Sequence, residues 1–417
     1  MELPYPILIP AIFISQSFAF ATWLYYIIHV ARTLKNSSIS VSFDNMNEAL
    51  YKVSIILPIH CEEEEDIRRC IESLIDQRYG NYEIIAVYDS DAEDRDISVR
   101  VILDYYTRYP EKIVIVRANP RPDGWTGKNW ACYQGYLKST GNIILFTDSD
   151  TIHSPSSVCL AISLLIEHQL DALTARPSII CKGIWSSIIF PIVWFFHLAK
   201  YSPSRLNTYG KSGFAFGGFL LIRRRAYETI GTHSAVKNYI IEDIAIGELL
   251  KNKNLNIKMF FGIQQQQIYQ IVKGNFPTWW NALKRTTNVI PFFDQGRSPN
   301  RFLIAMVVLA ILLQPIIALA ISPFFSNIFD YGLQIKNVWK VIVTLIMLGT
   351  NASIIVAYVL QSKICVVEKP LCALAAPLAV IIISAAFLSS LTNINKTNTL
   401  YWRGRPYRIN EGEYILK

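Results

Sequence analysis

An open α/β fold with a mostly parallel sheet, joined to membrane-crossing helices near both ends of the chain, is what the sequence predicts. Two observations carry the sheet: short apolar runs that end in turn or acidic residues, and helical periodicity between those runs. A third carries the membrane helices, namely long, nearly uncharged segments close to each terminus.

Val53–Ile59 is an apolar strand closed by Pro58, Ile59 and His60. Glu62–Tyr79 follows with helical spacing, Ile67, Ile71, Leu74 and Ile75 falling on one face. Tyr82–Tyr88 reads as a second strand, ending at Asp89-Ser90-Asp91. Next come a polar helix near residues 95–109, a strand Lys112–Val116 and a helix Trp130–Lys138. Ile143–Phe146 is a buried strand that runs into Thr147-Asp148-Ser149-Asp150. Strands alternating with helices predict parallel pairing through right-handed crossovers. The chain has no internal repeat and no low-complexity tract.

Hydrophobic residues make up 52% of the 417 positions, an excess that is concentrated rather than spread. Ile7–Val30 is long enough to cross a bilayer and lacks the basic start and small-residue cleavage site of a signal peptide, so it reads as a retained anchor. Phe302–Ser322, Val338–Leu360 and Pro370–Leu391 are three further candidate spans. Arg32 and Lys35 follow the first span and only Glu2 precedes it, which places the N-terminus outside and residues 31–301 in the cytoplasm. Three full spans after that would leave Lys396, Arg403, Arg405 and Arg408 outside, so Phe302–Ser322, interrupted by Pro315, is expected to be re-entrant. Ile184–Ala199, with Pro191 and a crowd of aromatics, and Phe276–Lys284, with Trp279 and Trp280 beside Lys284 and Arg285, read as interfacial helices or re-entrant pieces, the alternative being core helices of the α/β domain.

These readings divide the chain into an anchor (1–31), an α/β domain (32–275), an interfacial amphipathic segment (276–301), a C-terminal membrane region (302–391) and a basic tail (392–417). Seven cysteines without C-x-x-C or metal spacing point to a reduced compartment. The net charge of +8 sits beside apolar, aromatic segments. That pattern suits an anionic membrane surface and a diphosphate ligand, and not a nucleic acid.

The residues that could carry chemistry cluster at strand ends. In an open α/β sheet, ligands bind at the carboxyl ends of the strands. Asp89, Asp148 and Asp150 all end predicted parallel strands and should converge on one edge. Paired carboxylates there offer hard oxygens to Mg2+ or Mn2+, which in turn hold phosphates. His153 is either a further ligand or an ordinary loop hydrogen-bonder. Asp123-Gly124-Trp125-Thr126-Gly127-Lys128 is a glycine-punctuated loop opening a helix; a lysine at a helix N-terminus favours phosphate, although the Walker spacing is absent. Glu242-Asp243 precedes an apolar-periodic helix, where an aspartate serves as an N-cap or, partly desolvated, as a base.

Taken in order, Pro58-Ile59-His60-Cys61-Glu62-Glu63, Asp89, Gly124-Trp125-Thr126-Gly127-Lys128, Thr147-Asp148-Ser149-Asp150-Thr151 with His153, Phe216-Gly217-Gly218, Glu242-Asp243 and Trp402-Arg403-Gly404-Arg405 resemble the membrane-bound family 2 glycosyltransferases. The branch is similar to the hopanoid-associated, carotenoid and ceramide glycosyltransferases. The resemblance implies a GT-A fold (Rossmann-like, mostly parallel sheet), inversion at the anomeric carbon, a UDP- or GDP-sugar donor, Mg2+ or Mn2+ and a lipid acceptor. The protein would then be an integral protein of the cell membrane with a cytoplasmic catalytic domain.

Carried over by residue, the resemblance implies that Asp89 contacts the nucleotide, Lys128 the diphosphate and Asp148 the nucleotide sugar. Asp150 would hold the metal, with His153 a weaker candidate, and Asp243 would be the general base. Trp279, Trp280, Lys284, Arg285, Trp402, Arg403 and Arg405 would face the acceptor and the membrane surface. The family's second acidic residue is replaced by Tyr88 before Asp89, and the Q-x-x-R-W signature is absent, with Gln264–Gln267 in that region. A polyprenyl-phosphate sugar synthase and a non-catalytic lipid-binding or lipid-translocating membrane protein are the alternatives.

Overall fold

The computed structural model describes residues 5–35, 51–88, 96–201, 206–207, 213–239, 241–261, 267–289, 336–362, 365–367, 369–397, 399–402, 405–410 and 413–416. Asp89, Arg403 and the candidate span Phe302–Ser322 lie outside the described residues. The chain forms two compact units, one α/β (Asn36–Ile180, Tyr201–Ile271, Asn398–Lys417) and one helical (Met1–Lys35, Cys181–Lys200, Val272–Thr397).

The α/β unit is built on β1 (Val53–Ile59), α2 (Glu64–Ile75), β2 (Tyr82–Tyr88), α3 (Ile97–Arg108), β3 (Ile113–Arg117), α4 (Gly127–Lys138), β4 (Ile143–Phe146), β5 (Thr151–His153), α5 (Ser157–Glu167) and β6 (Ala172–Arg176), with α1 (Tyr5–Lys35) preceding it in the chain. Next come β7 (Ser178–Cys181), α6 (Ile184–Lys200), β8 (Leu220–Arg223), α7 (Arg224–Thr229), α8 (Glu242–Asn252), β9 (Ile257–Phe261) and β10 (Ile268–Val272). Seven strands make one sheet in the order β3-β2-β1-β4-β8-β6-β9. β1 pairs in parallel with β2 and β4, and β2 with β3. Both faces of the sheet are covered. Val53, Ile55, Leu57 and Ile59 enter one core cluster and Ile56 the other, which is why β1 reads as unbroken apolar sequence rather than an alternation.

β8 departs from the pattern. It runs antiparallel to both β4 and β6, with Leu220 opposite Phe146. Its N-terminal end therefore lies at the carboxyl edge of β4, which brings Phe216-Gly217-Gly218 to Asp148. β5 pairs antiparallel with β10, setting Gln270 opposite Thr151.

Helix starts follow side-chain caps. The Asp96 carboxylate accepts from Ser98 N–H at the start of α3, and Thr126 Oγ1 accepts from Asn129 N–H at the start of α4. The cap at Thr126 starts α4 at Gly127, earlier than the predicted Trp130, and so places Lys128 in its first turn. α2 buries Ile67, Cys70, Ile71 and Leu74, close to the face its spacing predicts.

The helical unit comprises α1, α6, α9 (Phe276–Val289), α10 (Lys336–Ser362) and α11 (Ala376–Thr397). Trp23 of α1 is buried and stacks on Phe195 of α6 at 5.4 Å. The Tyr358 hydroxyl of α10 donates to the Ser187 carbonyl of α6. Residues 181–200 thus group with the helices and not with the α/β domain whose sequence surrounds them. Among the described residues, no helix is long and apolar enough to cross a membrane.

Trp279 requires a correction. It is only 9% exposed, its indole N–H donates to Ser186 Oγ at 3.0 Å, and Phe190 packs edge-on against it at 5.7 Å. An indole whose N–H has a buried partner is a packing residue and not a headgroup contact. Trp280 is half-buried and stacked on Phe276, and Lys284 Nζ lies 6.0 Å from its ring centre. Arg285 lies in α9. Trp402 and Arg405 pair across an antiparallel ladder of Thr399–Trp402 with Arg405–Asn410.

Candidate active site

Three backbone features meet at the carboxyl edge of the sheet. The loop after β4 supplies Asp148 and Asp150, the first turn of α4 supplies Lys128, and the first turn of α8 supplies Glu242 and Asp243. Asn129 ties the two helix starts together: its side-chain amide donates to the carbonyls of Val236 (2.7 Å), Lys237 (3.2 Å) and Tyr239 (3.0 Å), in the segment leading to α8. A buried amide bonded to three carbonyls fixes one segment against the other.

Lys128 Nζ lies 2.6 Å from Asp148 Oδ1 and 2.7 Å from Glu242 Oε1. Burial works to lower its pKa, but Asp148, Glu242 and Asp243 together hold it well above the ordinary lysine value. Lys128 is thus a permanent cation, 36% exposed along its side chain, at the centre of the carboxylate group. Glu242 was not singled out as a site residue from sequence; its signal was its place beside Asp243 in an otherwise apolar stretch.

Asp243 accepts from Gly217 N–H at 3.0 Å through Oδ2 and from Ile244 N–H at 2.8 Å through Oδ1. Ile241 holds the N-cap position of α8, so Asp243 is a first-turn residue rather than the cap. Burial, then the neighbouring Glu242 carboxylate, push its pKa up to about 7, against the opposing pull of Lys128 and the two N–H groups. A carboxylate poised near neutrality, anchored by backbone donors, has the protonation balance of a general base. Gly217 leaves the room: a Cβ there would sit 2.7 Å from Lys128 Nζ, 3.4 Å from Asp148 Oδ2 and 3.5 Å from Asp243 Oδ2.

The Asp148–Asp150 turn is held from several sides. Ser149 Oγ donates to Glu62 Oε1 at 2.6 Å, Thr147 Oγ1 donates to the Gly218 carbonyl at 3.0 Å, and Cys70 Sγ lies 3.6 Å from the Asp148 carbonyl. Gln270 Nε2 donates to Asp150 Oδ1 and to Thr151 Oγ1, both at 3.1 Å. Asp150 thus has a neutral amide donor on one carboxylate oxygen, and two aspartates one residue apart in this turn offer hard oxygens that fit a divalent cation completed by phosphate and water. The sequence assigns neither contact, of Glu62 with Ser149 or of Gln270 with Asp150, because each is made to a turn distant in the chain.

His153 does not join them. Its ring is 2% exposed, its Nε2 lies 2.8 Å from Thr147 Oγ1, and Phe219 packs against it at 5.7 Å. Burial pushes its pKa down to about 3, so it stays neutral inside the core. The expectation of His153 as a metal ligand is corrected accordingly: its position in β5 turns the imidazole inward.

Comparison with known proteins fixes the class. Residues 54–231 match the family model described as glycosyl transferase family 2, a stretch that includes Lys128, Asp148 and Asp150 and stops short of Asp243. The chain is 24% identical over 253 residues to a 4,4'-diaponeurosporenoate glycosyltransferase of Staphylococcus aureus (strain USA300), covering 58% of this chain and 64% of that protein. The corresponding protein of the bovine strain RF122 / ET3-1 is 25% identical over 215 residues, covering 50% of this chain and 54% of that one. The chain therefore spans somewhat under two thirds of the length of these relatives.

Among solved structures, a mannosyltransferase from Pyrobaculum calidifontis, in complex with GDP-Man and Mn2+, superposes with a TM-score of 0.51 at 13% identity, over 91% of this chain and 99% of that one. That likeness shows the fold, an α/β arrangement of GT-A type. Residues 54–231 thus form a glycosyltransferase domain of family 2.

Proposed function

We propose that this protein transfers a sugar from a nucleotide-sugar donor to a hydroxyl group of a membrane lipid, with inversion at the anomeric carbon. The observation that carries this reading is Asp243: a carboxylate with its pKa pushed up to about 7, fixed by Gly217 N–H beside Lys128 and Asp148. A hydroxyl acceptor must lose a proton as it attacks, and Asp243 is the group placed to take it. A lipid phosphate would arrive ionised and need no such base.

Lys128, released from Asp148 and Glu242, binds the diphosphate and stabilises the charge that develops on it as the glycosidic bond breaks. Asp148 orients the donor sugar, and Asp150, braced by Gln270, holds the metal. A divalent ion there, Mg2+ or Mn2+, supplies further neutralisation of the leaving diphosphate. Displacement in line, with Asp243 on the acceptor side, forms the new glycosidic bond in one step without a covalent enzyme intermediate. The S. aureus relatives are named for 4,4'-diaponeurosporenoate, which supports a lipid acceptor, and the mannosyltransferase was solved with GDP-Man and Mn2+, which supports a nucleotide-sugar donor and a divalent metal.

Membrane association belongs to the same reading. The helical unit exposes large apolar side chains, among them Ile14 and Phe18 of α1, Leu345 and Leu348 of α10, and Leu371, which is 81% exposed. Apolar surface of that kind favours lipid as its surroundings. In this reading the α/β domain faces the cytoplasm, which the basic Arg32 and Lys35 after α1 support. Thermal-shift screening against UDP- and GDP-sugars with Mg2+ or Mn2+ tests the donor class. A true donor raises the melting temperature by mass action in a metal-dependent way, whereas no stabilisation by any nucleotide sugar would count against the reading.

A further inference from the structure

His60, Cys61 and Asp96 bring one nitrogen, one sulfur and one oxygen ligand atom within 4.8 Å of one another at the carboxyl end of β1. We propose that these three residues form a binding site for Zn2+, with ligand atoms distinct from the carboxylates of Asp148 and Asp150 at the same edge of the sheet.

The backbone explains how adjacent residues can serve one ion. Along a strand, successive side chains point to opposite faces, so His60 and Cys61 would diverge if β1 simply continued. Cys61 instead adopts a left-handed conformation, φ 51°. Its sulfur turns back to lie 3.9 Å from His60 Nδ1. Tetrahedral zinc ligands at about 2.0–2.3 Å from the ion stand roughly 3.5 Å apart, so a small side-chain rotation closes the gap.

Asp96 is already oriented toward the turn. Its Oδ2 accepts from Cys61 N–H at 2.6 Å, while its Oδ1 accepts from Ser98 N–H at 2.9 Å and from the Ser98 hydroxyl. A carboxylate has about four acceptor positions, and these three bonds leave one on Oδ2 for an ion. Asp96 is buried and caps α3, whereas Cys61 is exposed, so the site is anchored on one side and open to solvent on the other. A sulfur–nitrogen–oxygen set selects zinc-like ions over Mg2+ or Mn2+. Binding replaces the thiol proton with the metal and releases that proton to solvent, leaving a fourth position for water.

The test uses the full chain in detergent, stripped with a chelator. Zn2+ is titrated against a chromophoric indicator, and Co2+ is added separately to read the thiolate-to-cobalt absorption band. The expected result is about one tightly held Zn2+ per chain and a cobalt–thiolate band. Cys61→Ser should abolish the band, His60→Ala should weaken binding by at least about tenfold, and Cys372→Ser and Asp150→Asn should leave the band in place. In the unaltered protein, Zn2+ should also protect Cys61 from alkylation, a reading that needs no variant to fold. Absence of a cobalt–thiolate band, its persistence in Cys61→Ser, its loss in Asp150→Asn, or unprotected Cys61 in the presence of Zn2+ would overturn the assignment.

Discussion

Lys128 and Glu242 meet at the sheet edge, Nζ to Oε1 at 2.7 Å, although they begin different helices more than a hundred positions apart in the chain. The same ammonium holds Asp148, so one cation links the donor-side loop to the acidic pair that includes Asp243. In the proposed reaction a diphosphate that takes Lys128 would leave Glu242 without its counter-charge and its repulsion on Asp243 less well screened. Donor binding and the basicity of Asp243 are thereby coupled through a single side chain.

Replacing Asp243 with Asn should lower turnover by roughly 10²-fold or more, the scale of losing a general base, while donor affinity stays within a few-fold. Steady-state transfer to a lipid hydroxyl, paired with a donor-binding measurement, checks it. Equal losses in binding and turnover would return Asp243 to a structural role at the start of α8.

Glu242→Gln removes a carboxylate that raises the pKa of Asp243. The acidic limb of the pH–rate profile, expected near pH 7 in the unaltered protein, should therefore move to lower pH. A limb that stays in place in Glu242→Gln would show that another group governs it.

Stability should carry the opposite signatures of two kinds of buried group. Asp243 has a folded pKa of about 7 against an ordinary value of 3.8, so the folded state binds the extra proton and stability falls as pH rises between those values. His153 and His233 are held near 3 against an ordinary 6.5, so the stability they contribute is present above 6.5 and lost as pH falls toward 3. Melting temperatures across that range should drop on the acid side in the unaltered protein. Asp243→Asn should lift the neutral side relative to it.

Gly217→Ala places a methyl carbon 2.7 Å from the present position of Lys128 Nζ. Lys128 must shift, so donor affinity should fall by about tenfold, close to 1.4 kcal/mol, with little change in melting temperature because the displaced atom ends a flexible side chain. Calorimetric titration with the donor and a thermal melt, run together, decide between a site effect and a folding defect.

The parallel half of the sheet was legible because strands buried on both faces leave continuous apolar runs, and Val53–Ile59, Tyr82–Tyr88 and Ile143–Phe146 are such runs. Lys128, Asp148, Asp150 and Asp243 were legible as polar residues stationed at the ends of such elements. β8 was not, because Leu220–Arg223 is short and its direction depends on pairing with β4 and β6, which no local pattern records. For the same reason the bonds that Gln270 makes to Asp150 and Glu62 makes to Ser149 were not legible: each reaches its partner through tertiary pairing. His153 was misplaced because spacing from Asp150 says nothing about which face of β5 the ring occupies. Trp279 was misplaced because an aromatic beside a cation has the same sequence signature in a helix interface as at a membrane surface.

Incubation of the purified full chain with labelled UDP- and GDP-sugars, Mn2+ and a lipid extract, followed by separation of the lipid fraction, tests the central claim most directly. The account predicts label in an alkali-stable glycolipid, lost with chelator or in Asp150→Ala and reduced roughly 10²-fold or more in Asp243→Asn. Label passed at near-normal rate to a polyprenyl phosphate by Asp243→Asn, or no transfer from any nucleotide sugar by the folded protein, would contradict it.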